Sequence, residues 1–370
     1  MKKIILVSNS SWSMIKFRLG LMKELISKGY KITIIAPYDK HVEEIKLLGC
    51  SYQNIDMDNK GINPLKDLKL LFKLKNMYKK LNPDLIIHYT IKPNIYGTIA
   101  AKLAMVKSIA VVTGLGYIFI NDTIVSKIGK VLYKFSFQFS RRVLFINHDD
   151  KKEFIENNLV NSKKVMVLPG EGVNTDFFDD QNFKDKRVSI KFLLIARMLF
   201  DKGIKEYVEA ANMLKEKYPD AEFGLVGYLD VDNPRAISKE QMIAWQKDCN
   251  IVFYGSTDDV KSFISRSDCI VLPSYREGIS MSLMESASMS KALIATNVPG
   301  CKELIENGVN GFLCNVKDSI DLAVKMELML NLSNDERKRM GQAGRKKMIK
   351  EFDEKIVINK YFKIIEEEII

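Results

Sequence analysis

Short apolar runs alternate with longer stretches of helical periodicity along the whole chain. Residues 3 to 7, 31 to 36, 84 to 88, 108 to 112, 143 to 147 and 165 to 168 read as strands. Between them the apolar positions of 17 to 28, 42 to 48, 95 to 105 and 150 to 157 recur at helical spacing. A strand-helix rhythm of this kind predicts parallel sheets covered on both faces, an α/β fold. The polar, Asp-rich stretch from Pro169-Gly170 to about Arg187 reads as a linker, and a second series begins at Phe192. Two domains are expected, 1–170 and 171–352.

In the second series the apolar strand 192 to 196 runs into a loop with Arg197, Lys202 and Gly203, and a helix follows from Ile204. Cations at the carboxyl end of a parallel strand lie where such sheets bind ligands, and two of them can clamp a diphosphate. Solvated loop charges are the plainer alternative, weakened by the wholly apolar strand before them. Eighty residues on, LPSYREGISMSLMESASMSKALIATNVPG (272 to 300) opens with a strand end, passes through a loop and reads as a helix from Ser282. Glu277 and Glu285 bracket the turn. Gly278, Ile279, Ser280, Met281 and Ser282 between them would gather free amides at a helix amino end, a setting that favours a phosphate. A carboxylate near that anion is suited to hydroxyls: Glu285 to a vicinal diol such as a ribose, Glu277 to what lies beyond the phosphate. Helix capping alone would also explain acidic residues there.

The pair ARMLFDKG and YREGISMSLMESAS resembles the donor signature of the retaining family 4 glycosyltransferases. The resemblance implies a GT-B architecture, two Rossmann-like domains with parallel sheets facing across a cleft, and a last helix, about 353–370, that packs back on the first domain. It further implies that Arg197 and Lys202 bind the diphosphate of a UDP-sugar, Glu285 the ribose, and Glu277 the donor sugar, with Gly255 near the base. TIKPNIYG and TGLGYIF resemble, more narrowly, enzymes that extend bacterial surface glycans by adding an N-acetylhexosamine to an undecaprenyl-diphosphate-linked saccharide. A non-hydrolysing UDP-sugar epimerase of the same architecture is the alternative.

The strand-end loops of the first domain are the expected acceptor side: SNSSWSMIKFR with Arg18, HYTIKPNIYG with His88, Lys92 and Asn94, and VTGLGYIF with Gly114 and Gly116. Arg18 could meet an acceptor phosphate or be a surface charge at a helix start. His88 could be catalytic or structural. Glu171 stands where the resemblance leads one to expect a small residue.

Charge sharpens this picture. Residues 1–175 hold 28 Lys+Arg against 14 Asp+Glu while the whole chain nets +11, so the first half is basic and the rest slightly acidic. PLKDLKLLFKLKNMYKKL (64 to 81) and VSKIGKVLYKFSFQFSRR (125 to 142) interleave lysines with Leu68, Phe72, Val131, Leu132, Phe135 and Phe139. Such segments suit an anionic membrane surface, or are outer helices buried on one side. No reader motif suggests nucleic acid as a partner. Only residues 4 to 7 follow Lys2-Lys3 as an apolar run, too short for a secretory core, and no stretch has the length of a membrane span. The five cysteines and three histidines show no metal spacing. A cytoplasmic enzyme, peripheral on the inner face of the plasma membrane, is expected. The matches Asp56–Asp58 and Asp230–Asp232 are as frequent as chance allows. Since Arg197 and Lys202 already offer counter-charge to a leaving diphosphate, no cofactor or metal is expected.

Overall fold

A computed structural model describes residues 1–58, 63–115, 123–179, 189–229 and 232–369. It divides into two compact units, Met1–Gly172 with Glu354–Ile370, and Val173–Asp353.

In the first unit β1 (Lys3–Val7), β2 (Lys31–Ala36), β3 (Ser51–Asn54), β4 (Leu85–Tyr89), β5 (Ser108–Val112), β6 (Arg142–Phe145) and β7 (Val165–Val167) form one sheet in the order 3-2-1-4-5-6-7. Every pairing is parallel. The helices are α1 (Ser11–Ser27), α2 (Val42–Leu47), α3 (Pro64–Leu81), α4 (Thr98–Leu103, entered through a π-turn at Pro93–Gly97), α5 (Ile124–Phe137) and α6 (His148–Glu156). Alternation along the strands sorts the core into two layers. Ile4, Leu6 and Ile34 pack with Met14, Leu21 and Met22 of α1 and with Val357 and Ile365 of the last helix. Ile5, Val7 and Ile86 face the other way, onto Leu70, Leu74 and Tyr78 of α3 and Ala100 and Ala101 of α4. Further along that face Ala110, Val112 and Phe145 meet Tyr133 and Phe137 of α5.

The second unit repeats the plan. Its strands β8 (Lys191–Ile195), β9 (Glu222–Val226), β10 (Ile251–Phe253), β11 (Cys269–Leu272), β12 (Ala292–Thr296) and β13 (Gly311–Cys314) run parallel in the order 10-9-8-11-12-13. Around it lie α7 (Ile204–Leu214), α8 (Lys239–Asp248), α9 (Val260–Ser265), α10 (Met281–Ser288), α11 (Ser319–Asn331) and α12 (Asn334–Lys347). The last helix, α13 (Glu354–Ile369), belongs to the first unit. In each sheet the winding reverses once, between β1 and β4 and between β8 and β11, and ligands of open α/β sheets bind beyond the strand ends at such a reversal.

Three expectations need correction. The loop after β1 is only Ser8 to Ser10: the Ser10 hydroxyl caps α1 by accepting from Ser13 N at 3.2 Å, so Trp12 and Arg18 are helical. Strand β3 was not expected, because SYQN carries no apolar alternation; it lies at the sheet edge, where little burial is required. Helix α5 ends at Phe137, which leaves Arg141 and Arg142 outside it, both paired with Glu368 of α13.

Candidate active site

The winding reversal of the second sheet brings together two loops that lie far apart in sequence. Residues 196–203 leave β8 and residues 273–280 leave β11. Gly203 lets them approach: its φ is 70°, and a Cβ there would stand 2.1 Å from the Pro273 carbonyl oxygen. The loops are tied by Tyr275 N and the Ser274 hydroxyl, which donate to Asp201 O at 2.9 and 3.1 Å. From the other side Glu277 N donates to Pro299 O and Ser280 N to Gly300 O, at 3.1 and 2.9 Å. Gly300 has φ 80°, and a Cβ on it would lie 2.5 Å from Glu277 O.

Within this frame Lys202 Nζ lies 2.5 Å from Glu277 Oε1, with the two side chains 18% and 14% exposed. The residues read separately as diphosphate ligand and sugar ligand therefore form one ion pair. Arg197, two residues beyond the end of β8, is exposed. The expected cradle of amides is narrower than Gly278 to Ser282, because Ser280 N is taken by Gly300 O; the Ser280 hydroxyl in turn caps the helix by accepting from Leu283 N. Met281 N and Ser282 N donate to no acceptor among the described residues, as first-turn amides do. Ile279 is buried, and Glu285, 3% exposed, lies inside α10 beyond its first turn. Gly255 follows β10 with φ 75° and open space on its Cβ side, and its carbonyl accepts from Gly227 N at 2.9 Å. Tyr275, whose hydroxyl donates to Glu206 Oε1 at 2.7 Å, carries Lys317 Nζ at 5.0 Å from its ring centre. Neither that pair nor the Pro299-Gly300 clamp was found in the sequence; the Val298-Pro299-Gly300 turn signal was its only trace.

The first-unit residues change role more. Arg18 is neither a surface charge nor open to an acceptor: it is 3% exposed, donates from Nη1 to Ser13 O at 3.1 Å and pairs through Nη2 with Glu171. Its guanidinium lies 4.1 Å from the Tyr89 ring centre. Burial raises the Glu171 carboxyl above its ordinary range, and Arg18 opposes that shift. His88 is fully buried and not in a strand-end loop: Nε2 meets the Tyr78 hydroxyl at 3.0 Å and Nδ1 the Thr98 hydroxyl at 3.3 Å. Desolvation holds its pKa down to about 3, so it is a neutral, hydrogen-bonded residue of the core. Lys92 Nζ lies 2.5 Å from Asp67 Oδ1, Asp67 also accepts from the Tyr96 hydroxyl, and Asn94 is buried with Nδ2 donating to Val111 O. Gly114 stays at the end of β5 with φ 139°. Gly116 falls outside the described residues.

Among the described residues no group of three or more His, Cys, Asp or Glu is arranged to hold a metal ion. Asp56 and Asp58 instead face Lys73 and Lys66 at 3.3 and 3.8 Å. Asp230 is outside the described residues.

Two parallel sheets with a charged pair beyond the strand ends at a winding reversal define a doubly wound α/β protein, and comparison with known proteins gives the class. Residues 174–347 match the family of group 1 glycosyl transferases and residues 3–147 the glycosyl transferase 4-like family. The chain is 30% identical, over 98% of both chains, to the N,N'-diacetylbacillosaminyl-diphospho-undecaprenol alpha-1,3-N-acetylgalactosaminyltransferase of Campylobacter jejuni. It is 28% identical, over 70% of this chain and 69% of the other, to the UDP-Gal:alpha-D-GlcNAc-diphosphoundecaprenol alpha-1,3-galactosyltransferase of Escherichia coli. The fold matches that of Anabaena HepE in complex with UDP at a TM-score of 0.80 and 15% identity, over 99% of this chain and 100% of that one. The chain belongs to the group 1 glycosyltransferases, with a glycosyltransferase 4-like amino-terminal half, and is a hexosyltransferase of GT-B fold. An epimerase is not favoured, since both families and both relatives are glycosyltransferases.

Proposed function

We propose that the chain transfers an N-acetylhexosamine from a UDP-sugar, with retention at the anomeric carbon, to a saccharide carried on undecaprenyl diphosphate. The observation that carries this reading is the Lys202–Glu277 pair beyond the strand ends at the winding reversal of the second sheet. Lys202, Arg197 and the amides of Met281 and Ser282 stabilise the charge that builds on the leaving diphosphate as the glycosidic bond breaks. Glu277, already hydrogen-bonded to Lys202, orients the sugar hydroxyls, and Glu285 takes the ribose diol. Gly255 lies beside the base. No metal is required for this charge balance, because the chain's own cations and helix amides supply it.

The acceptor reading is supported by two relatives, both named for undecaprenyl-diphosphate-linked sugars. Nucleotide sugars are cytoplasmic, so the enzyme works on the inner face of the plasma membrane. No helix among the described residues is long and apolar enough to cross a membrane. The test offers a panel of UDP-sugars with synthetic undecaprenyl-diphosphate-linked acceptors and reads product mass and anomeric configuration. One UDP-N-acetylhexosamine should give product, and Arg197→Ala should lower kcat/KM on the order of 10²–10³-fold with an unchanged circular dichroism spectrum. Transfer at the wild-type rate by that variant, or product from no lipid-linked acceptor, refutes the assignment.

A further inference from the structure

Helices α3, α4 and α5 cover one face of the first sheet side by side, and the outer side of that layer is unusual for a surface. Helix α5 buries Gly129, Tyr133 and Phe137 inward, yet it exposes Ile124 at 78%, Ile128 at 55%, Val131 at 66% and Phe135 at 48%. These four recur every three or four residues and so form one outward stripe. Helix α3 does the same: Leu70, Leu74 and Tyr78 point into the core, while Leu65 at 79%, Leu68 at 51% and Phe72 at 47% point out. Between the two, Leu103 at the end of α4 and Met105 just after it are also exposed. Among the described residues, most of the large apolar side chains that the first unit exposes lie on this one layer.

Lysines surround the stripes. Helix α3 carries Lys66, Lys69, Lys73, Lys75, Lys79 and Lys80, and α5 carries Lys127, Lys130 and Lys134. The only acidic residue in α3, α4 and α5 is Asp67, which is buried and engaged by Lys92. Lys73 and Lys66 at one edge face Asp56 and Asp58 at 3.3 and 3.8 Å, and the rest of the rim carries a cationic excess. Apolar stripes inside such a rim match the cross-section of an anionic bilayer: acyl chains and glycerol meet the apolar centre, phosphates the lysines. A nucleic acid would satisfy the lysines but not Ile124, Ile128, Val131 and Phe135. A second copy of the chain would place this cationic rim against itself.

We propose that the outer face of α3, α4 and α5 is a docking surface for an anionic lipid bilayer, into which the α5 stripe inserts at the level of the headgroups. The proposal does not rest on the donor or acceptor chemistry. The full chain should co-sediment with vesicles containing phosphatidylglycerol, and much less with vesicles of phosphatidylcholine. The double variant Ile128→Glu/Phe135→Glu should reduce the partition coefficient at least about tenfold. The triple variant Lys69→Glu/Lys127→Glu/Lys134→Glu should reduce it on the order of a hundredfold, and added salt should weaken wild-type binding. All substituted side chains are at the surface, so the circular dichroism spectrum and transfer to a short-chain, water-soluble acceptor should be unaffected; that second readout separates failure of docking from failure of the transfer reading. Wild-type chain left in the supernatant, binding indifferent to either set of substitutions, or an apolar variant that splits an oligomer without altering vesicle binding, overturns the proposal.

Discussion

Lys202 and Glu277 are each less than a fifth exposed, and neither charge is well solvated without the other. A substrate that takes Lys202 must therefore bring its own negative charge and leave Glu277 with donors to accept. A sugar diphosphate offers both, phosphoryl oxygens for the lysine and hydroxyls for the carboxylate. Arg197, Lys202, Glu277 and Glu285 could be singled out as candidates because each stands within a short local pattern: a strand end, a loop, a helix start. The Arg18–Glu171 pair was not, since 153 positions separate its members and no local periodicity marks a buried cation. His88 misled for a related reason. The strand continues through His88 to Tyr89, so the imidazole that looks like a loop residue is inside the α3–α4 layer, between Tyr78 and Thr98. This has a measurable consequence. With a folded pKa of about 3 against 6.5 unfolded, His88 takes a proton in the unfolded chain that it refuses in the folded one. Its contribution to stability is complete above pH 6.5 and is lost as pH falls from 6.5 toward 3, by up to about 1.4 kcal/mol per pH unit. Urea titrations at pH 7 and pH 5 should show that loss in the wild type and a smaller one in His88→Gln; equal pH dependence in both would contradict the reading.

At the scale of elements, the strand-helix rhythm could be read because buried parallel strands are near-continuous apolar runs, as Leu85–Tyr89 and Ser108–Val112 show by being buried throughout. What the rhythm could not supply was the edge strand Ser51–Asn54, nor the start of α1, which a serine cap sets and hydrophobicity does not. The site depends on loops more than on strands, and Gly203 is where that dependence is sharpest. Gly203→Ala puts a methyl 2.1 Å from Pro273 O in a left-handed conformation, so both the backbone and its neighbour must give way. Gly308, with φ 81° and open space, is the matched control in the same unit. Thermal unfolding should show Gly203→Ala destabilised by more than the roughly 1–2 kcal/mol that the left-handed conformation alone costs an alanine, and Gly308→Ala by about that amount. Equal melting temperatures for the two variants would mean that the close approach of the 196–203 and 273–280 loops is not a constraint.

For the molecule as a whole, charge is divided unequally between the two units. The basic excess lies in the unit whose helices carry the exposed stripes, whereas the unit with the Lys202–Glu277 pair is the one matched by the group 1 glycosyltransferase family. Sequence patterning revealed the asymmetry, but which flank of each basic helix meets solvent follows only from packing, as Tyr133 and Phe137 turn inward and Val131 and Phe135 outward. Everything proposed for catalysis rests on where a nucleotide diphosphate sits. A crystal structure with UDP bound measures that directly. The account predicts its diphosphate within hydrogen-bonding distance of Lys202, Arg197 and the amides of Met281 and Ser282, with the ribose hydroxyls on Glu285. A UDP bound elsewhere, with the Lys202–Glu277 pair intact and Arg197 still in solvent, would contradict it.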